Sequence, residues 1–155
     1  MNGQSALNLE LTSDVAELPT VRAAIRAWTR QHGWTEAQTA DIVLAVDEAL
    51  SNVIRHGYDG QPGHKIEMRA RVLHDAAHGE GMEIRIRDFG KQVPLDEICG
   101  RDLNDLRPGG LGVHIIRSVM DSTEYSHASG GGMQLIMRKY QRPSANAHDS
   151  RRRQK

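Results

Sequence analysis

One cysteine in 155 residues leaves no partner for an internal disulfide. No flanking base or helix start activates Cys99, so it is not read as a nucleophile. The chain also lacks an excess of either charge. Lys and Arg total 20 against 20 Asp and Glu, so no broad basic surface invites nucleic acid. Eight histidines are present, but they are scattered and lack cysteine-rich surroundings, and no zinc site is assigned. No apolar run is long enough to span a bilayer, and the start has no signal-peptide pattern. The expectation is a cytoplasmic protein that stays off membranes. A chain of this length, 38% hydrophobic and 26% charged, is one globular domain with a core of its own.

Periodicity divides that domain. Residues 1–6 are expected to be loose, 7–141 to form the folded unit, and 142–155 to be a disordered tail ending in Arg151-Arg152-Arg153-Gln154-Lys155. Leu7, Leu9 and Leu11 alternate with polar residues as in a half-buried strand. Ser13-Asp14 offers a cap, Val15 to Gln31 has helical spacing, and His32-Gly33 ends it. Thr35 with Gln38 makes a capping box ahead of the next helix. Ile66 to Val72 and Met82 to Ile86 alternate as two strands around a polar loop, His74 to Gly81. A short helix at Pro94 to Ile98 interrupts an otherwise aperiodic stretch that reaches Pro108. A helix at Val113 to Met120, a strand at Thr123 to Ala128, a turn at Gly130-Gly131-Gly132 and a strand at Met133 to Tyr140 complete the chain. The class is α+β: a two-layer sandwich whose mixed, mostly antiparallel sheet is covered on one face by helices.

The stretch Asp41 to Gly60 carries the most information. On a helical wheel Ile42, Val43, Val46, Ala49, Leu50, Val53 and Ile54 share an arc of roughly 140°, a core-facing stripe. Glu48 and Asn52 stand one turn apart on the opposite face, with His56 a further turn on. A polar face like this is by itself ordinary solvated surface. Two glycine motifs further along give it another meaning. Asp88-Phe89-Gly90 closes a strand, where a carboxylate can accept from an exocyclic amino group and a glycine lets a flat base approach. Arg107-Pro108-Gly109-Gly110-Leu111-Gly112 leads into a helix, where freed backbone N–H groups and the helix terminus suit an anion. It is neither a Walker loop, lacking the Lys-Ser/Thr pair, nor a dinucleotide fingerprint. Asn52 is a neutral oxygen ligand for a hard cation, and magnesium needs only one or two such protein ligands. Glu48 is then placed to deprotonate or orient an attacking hydroxyl.

Together DEALSNVIRHGY, IRDFG and RPGGLGVHIIRSVMD resemble, in order and spacing, the GHKL (Bergerat-type) ATP-binding superfamily of gyrase, histidine kinases and mismatch-repair ATPases. Within it the likeness is to the anti-sigma-factor serine/threonine kinases of the RsbW and SpoIIAB type, over about 130 residues. The resemblance implies a Bergerat fold, with ATP and Mg2+ as ligands. It implies Glu48 as general base, Asn52 as magnesium ligand, Asp88 with Gly90 at the adenine, and Gly109, Gly110 and Gly112 at the phosphates. Arg107 would reach the phosphates from the lid, and His56 belongs to the matching His-Gly-Tyr ending. Two departures stand out: Met133 follows Gly132 where the superfamily often has Thr, and Lys91-Gln92-Val93-Pro94 follows Gly90 where a second glycine is common.

The implied partners are an anti-sigma-factor antagonist of the STAS type and a sigma factor, with the chain itself a homodimer. The competing reading is a module that binds nucleotide only to set its shape and captures a protein without turnover. Two surfaces are candidates for partner contact: the lid, Ile98 to Gly112, and the first helix, where Arg22, Arg26 and Arg30 recur at i, i+4 and i+8. Such a row is either a solvated face or a contact for an acidic partner or a second copy.

Overall fold

The computed structural model describes residues 6–99 and 110–141. Five strands, β1 Ala6–Thr12, β2 Lys65–Asp75, β3 Gly79–Asp88, β4 Ser122–His127 and β5 Met133–Tyr140, form one sheet in the order β1-β2-β3-β5-β4. The helices are α1 Leu18–Gln31, α2 Glu36–Asn52, α3 Leu95–Cys99 and α4 Gly110–Val119. The class is α+β as expected, but every hydrogen-bonded strand pair is antiparallel. This corrects the mixed sheet. α1 and α2 run out and back, returning the chain beside Thr12, so β2 enters opposite to β1, with Lys65 paired to Thr12. β4 does run parallel to β3, but the β4–β5 hairpin inserts β5 between them.

The period-two pattern sends Ile66, Met68 and Ala70, Met82, Ile84 and Ile86, and Leu135 and Met137 to one face, all buried. Val21, Ile25 and Trp28 of α1, Ile42, Val46, Ala49 and Leu50 of α2, and Ile116 of α4 close over them. The opposite face, which none of the described helices covers, carries Lys65, Glu67, Arg69 and Arg71 of β2 beside Glu83, Arg85 and Arg87 of β3. Among the described residues no helix is long and apolar enough to cross a membrane.

Several local expectations shift. The strand at the N-terminus starts at Ala6, which pairs with Arg71; residues 1–5 and the expected tail, 142–155, lie outside the described residues. Asp14 caps not α1 but a 3-10 turn, Val15–Glu17, that precedes it. The capping box of Thr35 and Gln38 is present, with both bonds at 3.1 Å, and it opens α2 at Glu36. The polar loop contracts to Ala76–His78, because the Asp75 carboxylate accepts the N–H groups of Ala77 and His78 and Gly79 turns at φ 81°. The arginine row of α1 is divided. Arg22 Nε is bound by both oxygens of Asp47, at 2.9 and 2.8 Å, and Arg30 Nε lies 3.3 Å from Glu36.

The largest difference is at the end of α2. The regular helix on whose wheel Val53, Ile54 and His56 were placed stops at Asn52 and widens into a π-helical turn, Val53–Gly57. Tyr58 N–H donates to Val53 O at 3.2 Å, five residues back. Spacing rules for a regular helix cannot foresee that extra residue, since its cause lies in β3.

Ser13 was expected as a cap and is instead a buried pin. Its hydroxyl donates to Gln61 O at 2.6 Å and accepts from His64 N at 3.0 Å, holding the end of β1 to the loop before β2. Ser13→Ala strands two backbone groups there and is expected to lower unfolding free energy by about 1–3 kcal/mol. Asp14→Ala, which removes only an exposed cap bond, should cost no more than about 1 kcal/mol. Urea unfolding of the two variants checks the order; Asp14→Ala proving the more damaging would contradict it.

Candidate functional site

The π turn, the ends of β3 and β5, α3 and α4 enclose a cleft of about 270 Å³. Asn52, His56 and Asp88 of the predicted set line it together, with Ile86, Met133 and Leu135 as an apolar floor on which a flat ring can rest. Glu48 is half-buried one turn before Asn52 and does not line the cleft. Gly110 and Gly112 lie in the first turn of α4, whose next residues, Val113 and His114, face the cleft, so a helix N-terminus is brought to its edge. Arg107 and Gly109 lie outside the described residues.

Asp88 is 2% exposed. Its Oδ1 accepts the N–H of Gly90 at 3.0 Å and that of Met133 at 3.2 Å, which leaves Oδ2 for a ligand in the cleft. Burial pushes the carboxyl above the usual carboxylate range, against the opposing pull of those two amides and of Arg87. Three stretches of backbone meet here. A Cβ on Gly90 would collide with Gly57 O, and one on Gly132 would collide with Asp88 O. Gly57 faces the Asp88 carboxylate, with room for no more than a methyl group between them, and Lys91 N–H donates to Gly57 O at 3.0 Å. The π turn is what carries Gly57 to this position. Tyr58 then ties the assembly to the sheet, its hydroxyl donating to Lys65 O at 2.6 Å and accepting from Phe89 N at 2.7 Å.

Asn52 Oδ1 is buried and has no hydrogen-bond partner among the described residues. A buried acceptor left unpaired costs about 1–3 kcal/mol, so an amide oxygen held this way, on the cleft wall, fits a site kept for a ligand. A hard cation suits it, since magnesium takes neutral oxygen and completes its shell elsewhere.

Sequence reasoning gave no such role to five contributors. Met133, noted only as a departure from Thr, supplies a backbone N–H to Asp88. Gly132, read as part of a hairpin turn, also seats the Asp88 backbone. Tyr58 acts as a clamp, for which the only signal was its place after His56-Gly57. Lys91, noted only as standing where a second glycine is common, and His114, within the motif leading into α4, also line the cleft.

Residues 11–139 match the family described as "Histidine kinase-like ATPase domain". The chain therefore belongs to the histidine kinase-like ATPase domain family. It is similar to the serine-protein kinase RsbW of Listeria innocua, at 25% identity over 142 residues, covering 86% of each chain. It is also similar to an anti-sigma F factor of Oceanobacillus iheyensis, at 32% identity over 122 residues, 76% of this chain and 80% of that one. In fold it is similar to a crystal structure of the RsbU and RsbW domains of a Mycobacterium tuberculosis protein, with a TM-score of 0.59 and 20% identity over 89% of this chain. This chain spans 33% of that longer one.

Two outcomes follow for Asp88→Asn. With Asp88 at the adenine amino group, as the resemblance implies, the variant should weaken ATP binding roughly ten- to hundredfold, from about 1–3 kcal/mol. The variant should also be more stable without ligand at neutral pH. A carboxyl whose folded pKa lies above its unfolded one withdraws stability as pH rises between the two values, and that loss persists above them. Calorimetry and urea unfolding across pH read the two effects. Wild-type ATP affinity would remove the adenine assignment, and an unchanged pH profile would remove the burial effect.

Proposed function

We propose that the chain is an ATP-dependent serine/threonine protein kinase and anti-sigma factor. It phosphorylates an anti-sigma-factor antagonist of the STAS type, sequesters a sigma factor, and works in the cytoplasm as a homodimer. The observation that carries the reading is the cleft that holds the Asp88 carboxylate and the unpartnered amide oxygen of Asn52 together over an apolar floor. The relatives named RsbW and anti-sigma F factor support its direction.

In this reading the base lies on Ile86, Met133 and Leu135 with its amino group toward Asp88. The phosphates extend toward the N-terminus of α4, where Gly110 and Gly112 leave the backbone open, and Arg107 and Gly109 are the further residues that the resemblance assigns to them. Asn52 Oδ1 would hold Mg2+, which when bound would supply positive charge to offset that of the phosphates. The serine or threonine oxygen of the partner attacks the terminal phosphorus, the bond to the ADP oxygen breaks, and Glu48 takes the hydroxyl proton. His56 borders the same space.

The position of Glu48 favours a second reading. It stands outside the lining of the cleft, as it would in a module that binds nucleotide to set its shape and captures a protein without turnover.

Glu48→Gln separates the two. Under the kinase reading it keeps ATP affinity and loses phosphoryl transfer by at least about a hundredfold, the scale of a general base. Asn52→Ala should instead weaken binding of ATP in the presence of Mg2+ and leave binding without the metal little changed. Transfer of labelled phosphate to the co-purified partner, with calorimetry in and out of Mg2+, is the measurement. Equal rates for Glu48→Gln and wild type would end the role of Glu48, and no transfer by wild type would favour the capture module.

A further inference from the structure

One cation on the lining of the cleft belongs to no contact proposed for the nucleotide. Among the described residues, Lys91 is the only lysine or arginine that borders the cleft. Its side chain is 65% exposed, whereas Ile86, Met133 and Leu135 are buried. The lysine therefore stands at the rim, with the apolar floor below it. A flat ring resting on that floor turns its other side toward the rim.

Lys91 is held there from both ends. Its backbone N–H donates to the carbonyl of Gly57, the residue that faces the Asp88 carboxylate. In the next residue, Gln92 Nε2 donates to Ala128 O and Gly132 O, each at 3.3 Å, and His127 Nε2 donates to Val93 O at 2.8 Å. Residues 91–93 are thus fixed to β4 and the turn before β5. At the far end of the side chain, Nζ lies 2.6 Å from Asp59 Oδ2. The turn that carries Asp59 is fixed as well, by Gly60 N–H on Ile54 O at 2.8 Å and Gln61 N–H on Tyr58 O at 2.9 Å. Asp59 is the one non-glycine residue with a left-handed backbone among the described residues, at φ 53°, and such conformations cluster at ligand clamps. An ion pair this exposed adds little to stability. Its effect is to fix the direction of the lysine stem, and a side chain held before binding loses less freedom when a ligand arrives.

We infer that Lys91 is a base-binding residue that closes over the face of the purine resting on the floor, and that Asp59 positions it. The inference rests on the reading of the cleft as an ATP site. A cation over an aromatic face is attracted by the negative face of the ring, and the methylene groups of the stem add apolar contact. The phosphates are a poorer target. In the proposed reading they run toward α4, whereas the backbone of Lys91 is anchored at the Asp88 end. With its charge already shared by Asp59, the ammonium is also a weaker partner for an anion.

The test measures the affinity of the full chain for adenosine, ADP and ATP by NMR titration and calorimetry. Lys91→Ala is expected to weaken all three by about the same factor, roughly three- to tenfold. Lys91→Met, which keeps an apolar stem and loses the charge, should fall between, and Lys91→Arg should restore wild-type affinity. Asp59→Asn should weaken binding by less than Lys91→Ala and add nothing to it in the double variant, because it acts through the lysine. An ion pair that only braced the turn would shift urea unfolding and leave all three affinities alone. A loss that grows with the number of phosphates, wild-type affinity in Lys91→Ala or Lys91→Met, or additive effects in the double variant would each overturn the inference. Wild-type affinity in the Lys91 variants beside a loss in Asp88→Asn would end this inference alone. Failure of the wild-type chain to bind any of the three would end it together with the ATP reading.

Discussion

Everything at the cleft depends on how closely three stretches of backbone pack around Asp88. Gly57 faces its carboxylate, Gly90 lies against the Gly57 carbonyl, and Gly132 presses on the Asp88 carbonyl. A methyl group on Gly90 or Gly132 would force these segments apart, and the Met133 N–H that steadies Oδ1 would move with them. Side-chain chemistry at Asp88 therefore follows from backbone packing. That packing in turn accounts for the π turn, because a regular helix would end without setting Gly57 against β3.

The same logic explains why a charged group can be left so deep. Asp88 has lost most of its water, and two amide dipoles only partly replace it, so its carboxyl stays raised. Asn52 shows the complementary case, a buried neutral acceptor with no partner. Both are costs that a well-packed core would avoid. Their concentration in one cleft is what separates a binding site from a packing fault.

How much of this was legible in the sequence depended on range. Patterns that repeat within a few residues were read correctly: the alternation of β2 and β3, the capping box at Thr35, the last strand from Met133. Asn52, His56 and Asp88 were singled out, and the fold brings them to one cleft. Glu48 was placed by spacing on the face of Asn52, yet it stands off the lining. Contacts set by strand register were invisible. Ser13 was taken for a cap because its partners, Gln61 and His64, are 48 and 51 residues away. Glu83 read as an ordinary outward-facing acid because only the pairing of β2, β3 and β5 surrounds it with arginines. The π turn was missed for the same reason, since the residues that require it belong to another element.

The bond between Met133 and Asp88 spans 45 residues of chain. During synthesis at about 5–20 residues per second, roughly 2–9 s pass between the addition of the acid and of the amide that steadies it. Throughout that interval β3 has no neighbour on its β5 side, and the cleft lacks Met133 and Leu135 from its floor. Under the proposed reading, a nascent chain is therefore unable to use nucleotide as a template for its own folding. Ligand would act only on the finished domain, and a ribosome-bound fragment ending before β5 should be indifferent to ATP.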